Sequence, residues 1–222
     1  MNIISIIPAR GGAVGIPHKN VKPFLGEPLI ARTIRHSLAC SQIAATFVST
    51  DDKEIARVSV AAGADIIVRP RYLAGADAQS EDVLMHALDK IGGVIDGVVF
   101  LQCTSPIRRK DDISRAIRMF QSKGCDSVFS ACELRQYLRF DGYKNWYPDM
   151  YPRNMRVEKQ PAIIENGSIY VFDPVVFRKQ KVRLCGFGRY FVQPWYCGLE
   201  LDIPKDWELC ELIASSKKLE LA

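Results

Sequence analysis

The loop Pro8-Ala9-Arg10-Gly11-Gly12-Ala13-Val14-Gly15-Ile16-Pro17-His18-Lys19-Asn20 carries the first candidate chemistry in the chain. It follows an apolar run directly, so its backbone N–H groups are free to turn toward a phosphate chain while Arg10 and Lys19 neutralise the charge. It matches neither GxxxxGK[ST] nor GxGxxG, which removes the main support for an ATPase or a dinucleotide-binding protein. A glycine-rich turn with solvated cations accounts for the same residues equally well, and composition alone leaves both readings open. His36 and His86 fall in helical segments without partners at metal-ligand spacing, and are read as packed or exposed histidines. Seven cysteines, at 40, 103, 125, 132, 185, 197 and 210, form no CxxC pair and read as reduced core thiols rather than disulfides or a zinc site. Cys103 in particular reads as a small buried hydrophobe.

A net charge of +5 is spread along the chain without a basic block or an RNA-binding motif. That pattern favours small anions as ligands over nucleic acid. The longest apolar runs, Ile3 to Pro8 and Val98 to Leu101, are too short to cross a bilayer, and the N-terminus has no cationic stretch leading into a signal-type segment. A cytoplasmic location, with no membrane partner, is the resulting expectation.

The elements that position these residues follow from periodicity. Asn2 to Pro8 reads as a buried strand ending at the loop, and Pro28 to Cys40 as a helix with Ile30, Ile34 and Leu38 on one stripe. A strand at 45–49, a helix at 52–62 with Ile55 and Val58 inward, and a strand at 65–68 continue the alternation. A loop through Arg69 to Gln79 leads to a helix with Ser80 as its N-cap and Glu81 and Asp82 in its first turn. A strand at 97–102, a helix at 112–121 carrying Ile113, Ile117 and Phe120, and a strand at 125–132 follow. Alternation of this kind predicts an α/β fold with a mainly parallel, Rossmann-like sheet and helices on both faces. Ligands in such sheets bind at the carboxyl ends of the strands, so the loops at 8–20, 49–52, 69–79 and 102–109 share one edge. At 222 residues the chain makes one such domain. Residues 134–165, rich in Tyr, Arg, Pro and Asn, read as an excursion from the core. Strands at 168–172, 191–195 and 199–202 and a helix from Pro204, with Trp207, Cys210 and Ala214 on one face, complete the chain.

The motif IPARGGxxGIPxKN, followed by VSTDD at 48–52 and LQCTSPIR at 101–108, resembles the acylneuraminate (CMP-sialic acid) cytidylyltransferase family. RP-x-x-LA at 69–74, ENGSIY at 165–170 and LELDIPKDWELCE at 199–211 extend the resemblance over essentially the whole chain. The related enzymes that activate the eight-carbon sugar Kdo resemble IPAR-x-x-S-x-R-LPGKP and carry a QGD-type motif. Lys19-Asn20 and the Thr104-Ser105-Pro106 loop place this chain on the sialic side.

The resemblance implies a nucleotidyltransferase that joins CMP from CTP to the anomeric hydroxyl of a sialic-acid-like nonulosonic acid. It implies Arg10, Lys19 and Asp202 as catalytic residues. The nucleotide would lie against Ala9, Arg10, Gly12 and Lys19, with Asn20, Arg69 and Ser80 near cytosine and ribose. Gln102, Arg156 and Tyr170 would meet the sugar. The family pattern D-x-D reads Glu200 and Asp202 here, implying Mg²⁺ held by oxygen ligands, which that ion prefers. Without the resemblance these two carboxylates read as the start of the last helix, with Asp202 as a cap. Where the family has Ser-Lys this chain has Ala13-Val14, one phosphate-facing cation fewer; His18 and Lys22 are candidate substitutes. The excursion at 134–165, with Tyr137, Phe140, Tyr143, Trp146 and Tyr147 as aromatic anchors, implies a homodimer.

Overall fold

The computed structural model describes residues 1–13, 15–122, 124–134 and 162–216. At its centre is β1 (Ile3–Pro8), where Ile3, Ile4, Ile6 and Ile7 are all buried. A strand apolar at successive positions suits the middle of a parallel sheet covered on both faces. β4 (Ala45–Thr50) and β6 (Gly97–Leu101) flank it in parallel, and β5 (Asp65–Val68) lies beyond β4. The far half of the sheet is different. β8 (Ala162–Phe172) runs antiparallel to both β6 and β7 (Ser127–Leu134), and β9 (Gly188–Gln193) lies parallel to β7 at the edge. The order is β5-β4-β1-β6-β8-β7-β9, and a small hairpin, β2 (Pro23–Phe24) with β3 (Glu27–Pro28), stands apart.

The alternating side chains of the strands feed two cores. Ile3, Ile7, Val99 and Leu101 meet α1 (Leu29–Leu38), α2 (Lys53–Ala61), α4 (Asp112–Gln121) and α6 (Pro204–Ala214). Ile4, Ile6, Val98 and Phe100 meet α3 (Ser80–Ile91) and α5 (Pro174–Gln180) on the opposite face. Each fully buried aliphatic side chain stabilises such a core by about 1.5–3 kcal/mol. The expected α/β sheet with helices on both faces is therefore present, and β5 and α4 have the expected bounds.

Several local expectations are corrected. Leu38 does not continue the α1 stripe: it is 49% exposed, because the helix ends there and turns into Ala39. Gln79 is the N-cap of α3 and Ser80 is its first residue, with no side-chain cap bond. β8 begins at Ala162, since residues 162–165 pair with β7, so the excursion ends earlier than its composition suggested. β9 spans 188–193 rather than 191–195, because Pro194 interrupts the ladder and Trp195–Gly198 coil into a 3₁₀ turn. Residues 199–203 are not a strand; Leu201 N–H donates to Thr104 O at 2.8 Å, a loop-to-loop bond. Nor does Asp202 cap α6. The Asp206 carboxylate accepts the backbone N–H groups of Asp202 and Ile203 at 2.9 and 2.8 Å. Two elements were unexpected: the β2–β3 hairpin, and α5, a short helix whose start is fixed by Pro174 and by Asp173 accepting from Val175 and Val176.

Candidate active site

At the carboxyl ends of β1, β5 and β6 the loops enclose a cleft of about 410 Å³. The first loop is fastened at its base by Ala9, whose N–H donates to Ser49 O at 2.9 Å, and by Asn20, whose Nδ2 donates to Arg10 O at 3.0 Å. Gly11 is pressed against Asp52, where an added Cβ would come 2.8 Å from Oδ2, and its N–H donates to Asp51 at 3.1 Å. These bonds leave Arg10 reaching across the opening to Gly75 O at 2.7 Å, and Lys19 crossing to the far loop, where Nζ donates to Leu201 O at 2.6 Å. Asp202 stands 3.9 Å from Lys19 Nζ and is largely exposed.

The cleft wall collects Arg10, Lys19, Asn20, Arg69, Ser80, Gln102 and Asp202, seven residues singled out from sequence. The remaining ones lie around it. Ala9 is buried beneath the loop, and Gly12 faces open space. Tyr170 is buried, its ring stacked on Phe100 with centroids 5.4 Å apart and its hydroxyl donating to Glu165. Glu200 packs against Gly167 beside Gln102. Arg156, Val14 and the aromatic residues 137, 140, 143, 146 and 147 lie outside the described residues. Neither candidate substitute for the missing cation lines the cleft: His18 is exposed, and Lys22 Nζ sits 4.5 Å over the Trp207 ring.

Burial sets the electrostatics. The Lys19 ammonium is held below the usual lysine range by desolvation, against the pull of Asp202, Cys103 and Glu200. Arg69, buried and donating to Ser49 O at 2.6 Å, is lowered to about 10 for the same reason. Both become stronger partners for an entering anion, which would replace lost hydration. Glu200 is held above the usual carboxylate range, first by burial and then by the charge of Asp202. Two neighbouring carboxylates, one half-buried and one open to the cleft, make an oxygen donor set that fits a divalent cation. Cys103 is pushed up to about 11 by burial, as suits a packed thiol.

A buried polar framework behind the cleft keeps Gln102 in place. Arg108, fully buried, donates from Nη2 to Gln102 O at 2.6 Å and to Ser168 O at 3.0 Å, tying the loop after β6 to β8. Asn166 donates to Gln193 at 2.7 Å, Gln193 donates to Asp112 at 2.6 Å, and Asp112 pairs with Arg109 at 2.8 Å. The register of β7 and β8 shifts between Phe129 and Ala131, and Gly167 in this irregularity has φ +66°. An added Cβ there would collide with the Glu200 carboxylate and come 3.3 Å from Gln102 Oε1. Only glycine lets the backbone approach these two side chains so closely.

Sequence reasoning missed the apolar side of the cleft, formed by Leu73, Val83 and Phe100, and the small residues Gly75, Ala76 and Ala78. Phe100 was within reach: it lies next to Leu101 at the carboxyl end of β6, where ligands gather. Residues 75–78 gave no signal beyond being loop.

A family model described as cytidylyltransferase matches residues 4–173. The chain is 31% identical to N-acylneuraminate cytidylyltransferase of Escherichia coli, over 97% of this chain and 52% of that protein. It is 30% identical to pseudaminic acid cytidylyltransferase of Campylobacter jejuni, over 96% of both. The chain spans about half the length of the first curated relatives it matches. In fold it is similar to a CMP:2-keto-3-deoxy-manno-octonic acid synthetase solved with CTP, with a TM-score of 0.76 at 19% identity over 99% of this chain and 100% of that one. A cleft at the strand ends, a loop carrying Arg10 and Lys19, and a family match that begins within β1 and runs beyond β8 lead to one assignment: the chain belongs to the cytidylyltransferase family.

Proposed function

We propose that the protein transfers CMP from CTP to the anomeric hydroxyl of a sialic-acid-like nonulosonic acid and releases pyrophosphate. The observation that carries this reading is the convergence of Arg10, Lys19, Asn20, Arg69, Ser80, Gln102 and Asp202 on one cleft. Arg10 and Lys19 hold the triphosphate, Ala9 and Gly12 shape the loop around it, and Asn20, Arg69 and Ser80 face cytosine and ribose. Gln102 orients the acceptor, with Tyr170 behind it and Arg156 as a further sugar contact.

The anomeric oxygen attacks the α-phosphorus in line. A new O–P bond forms, the bond to the β-phosphate oxygen breaks, and the hydroxyl proton passes to the Asp202 carboxylate. Positioning and fixed charge do most of the work, because the positive groups are in place before charge develops on the departing pyrophosphate. Glu200 and Asp202 would hold Mg²⁺, which neutralises phosphate oxygens when bound. The protein acts as a homodimer through residues 134–165, in the cytoplasm. Among the described residues no helix is long and apolar enough to cross a membrane.

The test is pyrophosphate release from CTP and Mg²⁺ with a panel of nonulosonic acids and Kdo, for the natural chain and Val14→Lys. Release with a nonulosonic acid is expected, about tenfold faster for Val14→Lys, since one charge-assisted hydrogen bond to phosphate contributes about 1.5–3 kcal/mol. CTP binding without pyrophosphate from either protein would mean a nucleotide-binding relative without the activity.

A further inference from the structure

Arg183 reaches this neighbourhood from the stretch after α5, which no motif marks. Its Nε and Nη2 fork onto the Glu81 carboxylate at 2.8 and 3.3 Å, and Nη1 has no hydrogen-bond partner among the described residues. The guanidinium carbon lies 5.0 Å from the Tyr170 ring centroid and 5.2 Å from that of Phe100. Both side chains of the Arg183–Glu81 pair are 20% exposed, so the cation is confined without being sealed off. A planar guanidinium held at one edge by a carboxylate and across its face by two rings has little freedom left. What it still offers is the Nη1 edge.

Its surroundings say which part of a ligand it would meet. Phe100 lines the cleft, and Glu81 adjoins Ser80, which also lines it. Lys19 contacts Leu201 and Asp202, whereas Arg183 contacts Glu81, Phe100 and Tyr170. It therefore stands on the α3 and β8 side, apart from the Lys19–Asp202 pair. In a 2-keto acid sugar the carboxylate is bonded to the anomeric carbon and must stay beside the reacting hydroxyl. A cation remote from that point meets the tail of the sugar instead.

We infer that Arg183 is a specificity-determining residue of the acceptor end: its Nη1 hydrogens meet an acceptor oxygen on the sugar's tail, and its charge turns away sugars bearing a free amine there. This assignment rests on the cytidylyltransferase reading above. A neutral acylamino group presents a carbonyl oxygen to Nη1, whereas its deacylated form is a cation set against a cation.

The experiment compares wild type, Arg183→Leu and Glu81→Gln. Pyrophosphate release is measured with an N-acylated nonulosonic acid and its de-N-acylated amine, with thermal melting alongside. Arg183→Leu is expected to raise KM for the acylated sugar about tenfold, to leave KM for CTP within about twofold, and to shrink the preference for the acylated sugar about tenfold. Glu81→Gln, which keeps the cation but loosens its clamp, is expected to fall between. An unchanged preference in folded Arg183→Leu overturns the assignment, as does an equal rise in both KM values. If Arg183→Leu does not fold, Glu81→Gln decides, and an unchanged preference there has the same meaning. If wild type releases no pyrophosphate with any acceptor, the cytidylyltransferase reading fails by itself. Calorimetric binding of the two sugars to wild type and Glu81→Gln then decides, and equal preference in both overturns the role of Arg183.

Discussion

Lys19 joins the first loop to the last, donating to Leu201 O while facing Asp202. In the proposed reaction its charge would meet the negative charge developing on pyrophosphate, so Lys19→Met is expected to lower kcat/KM by about two to three orders of magnitude, measured by steady-state pyrophosphate release. Gly167 separates activity from stability. In Gly167→Ala, the positive φ costs about 1–3 kcal/mol, and the new Cβ displaces both Glu200 and Gln102. Melting should show a modest loss, and turnover a loss well beyond it; unchanged turnover would mean that neither displaced side chain serves the reaction. Positions on the cleft were legible where a motif fixes spacing, as in Arg10, Lys19 and Gln102. They were not legible at Phe100 or Arg183, whose placement is set by neighbours far away in sequence: Tyr170 and Glu81.

At the scale of elements, periodicity found every helix among the described residues that presents an apolar stripe to the sheet. It failed where a loop bond or a cap replaces the stripe. α5 is anchored mainly by buried Phe177 and by its Asp173-Pro174 start, and 199–203 is ordered by Thr104 and Asp206 rather than by strand pairing. α3 carries a pH-dependent element. Burial, reinforced by the charge of Lys90, holds the His86 imidazole below its ordinary 6.5. The unfolded chain therefore binds this proton first as pH falls, so the stability present above pH 6.5 declines as pH drops from there through the lowered folded value. His86→Gln is expected to flatten that part of the melting temperature against pH curve, and an unaltered curve would assign the slope to other groups.

The whole molecule was legible as a class: alternation gave the sheet, its two covered faces and the edge where ligands gather. What alternation could not give was the reversal of β8, because an apolar strand reads the same in either direction. The homodimer proposed through 134–165 predicts sedimentation at twice the chain mass, reverting to a single chain when Tyr143 and Trp146 are both replaced by Asp. A mass of one chain for the unaltered protein would remove that proposal. The place of β8 also bears on synthesis. β7 leaves the ribosome well before β8, yet β8 is seated between β6 and β7. The half of the sheet built from β1, β4, β5 and β6 has all its strands by residue 101, whereas β7 has no strand partner until translation passes residue 162. A nascent chain thus spends the interval with the β6 edge and all of β7 unpaired, the period in which a strand-binding chaperone has most to protect.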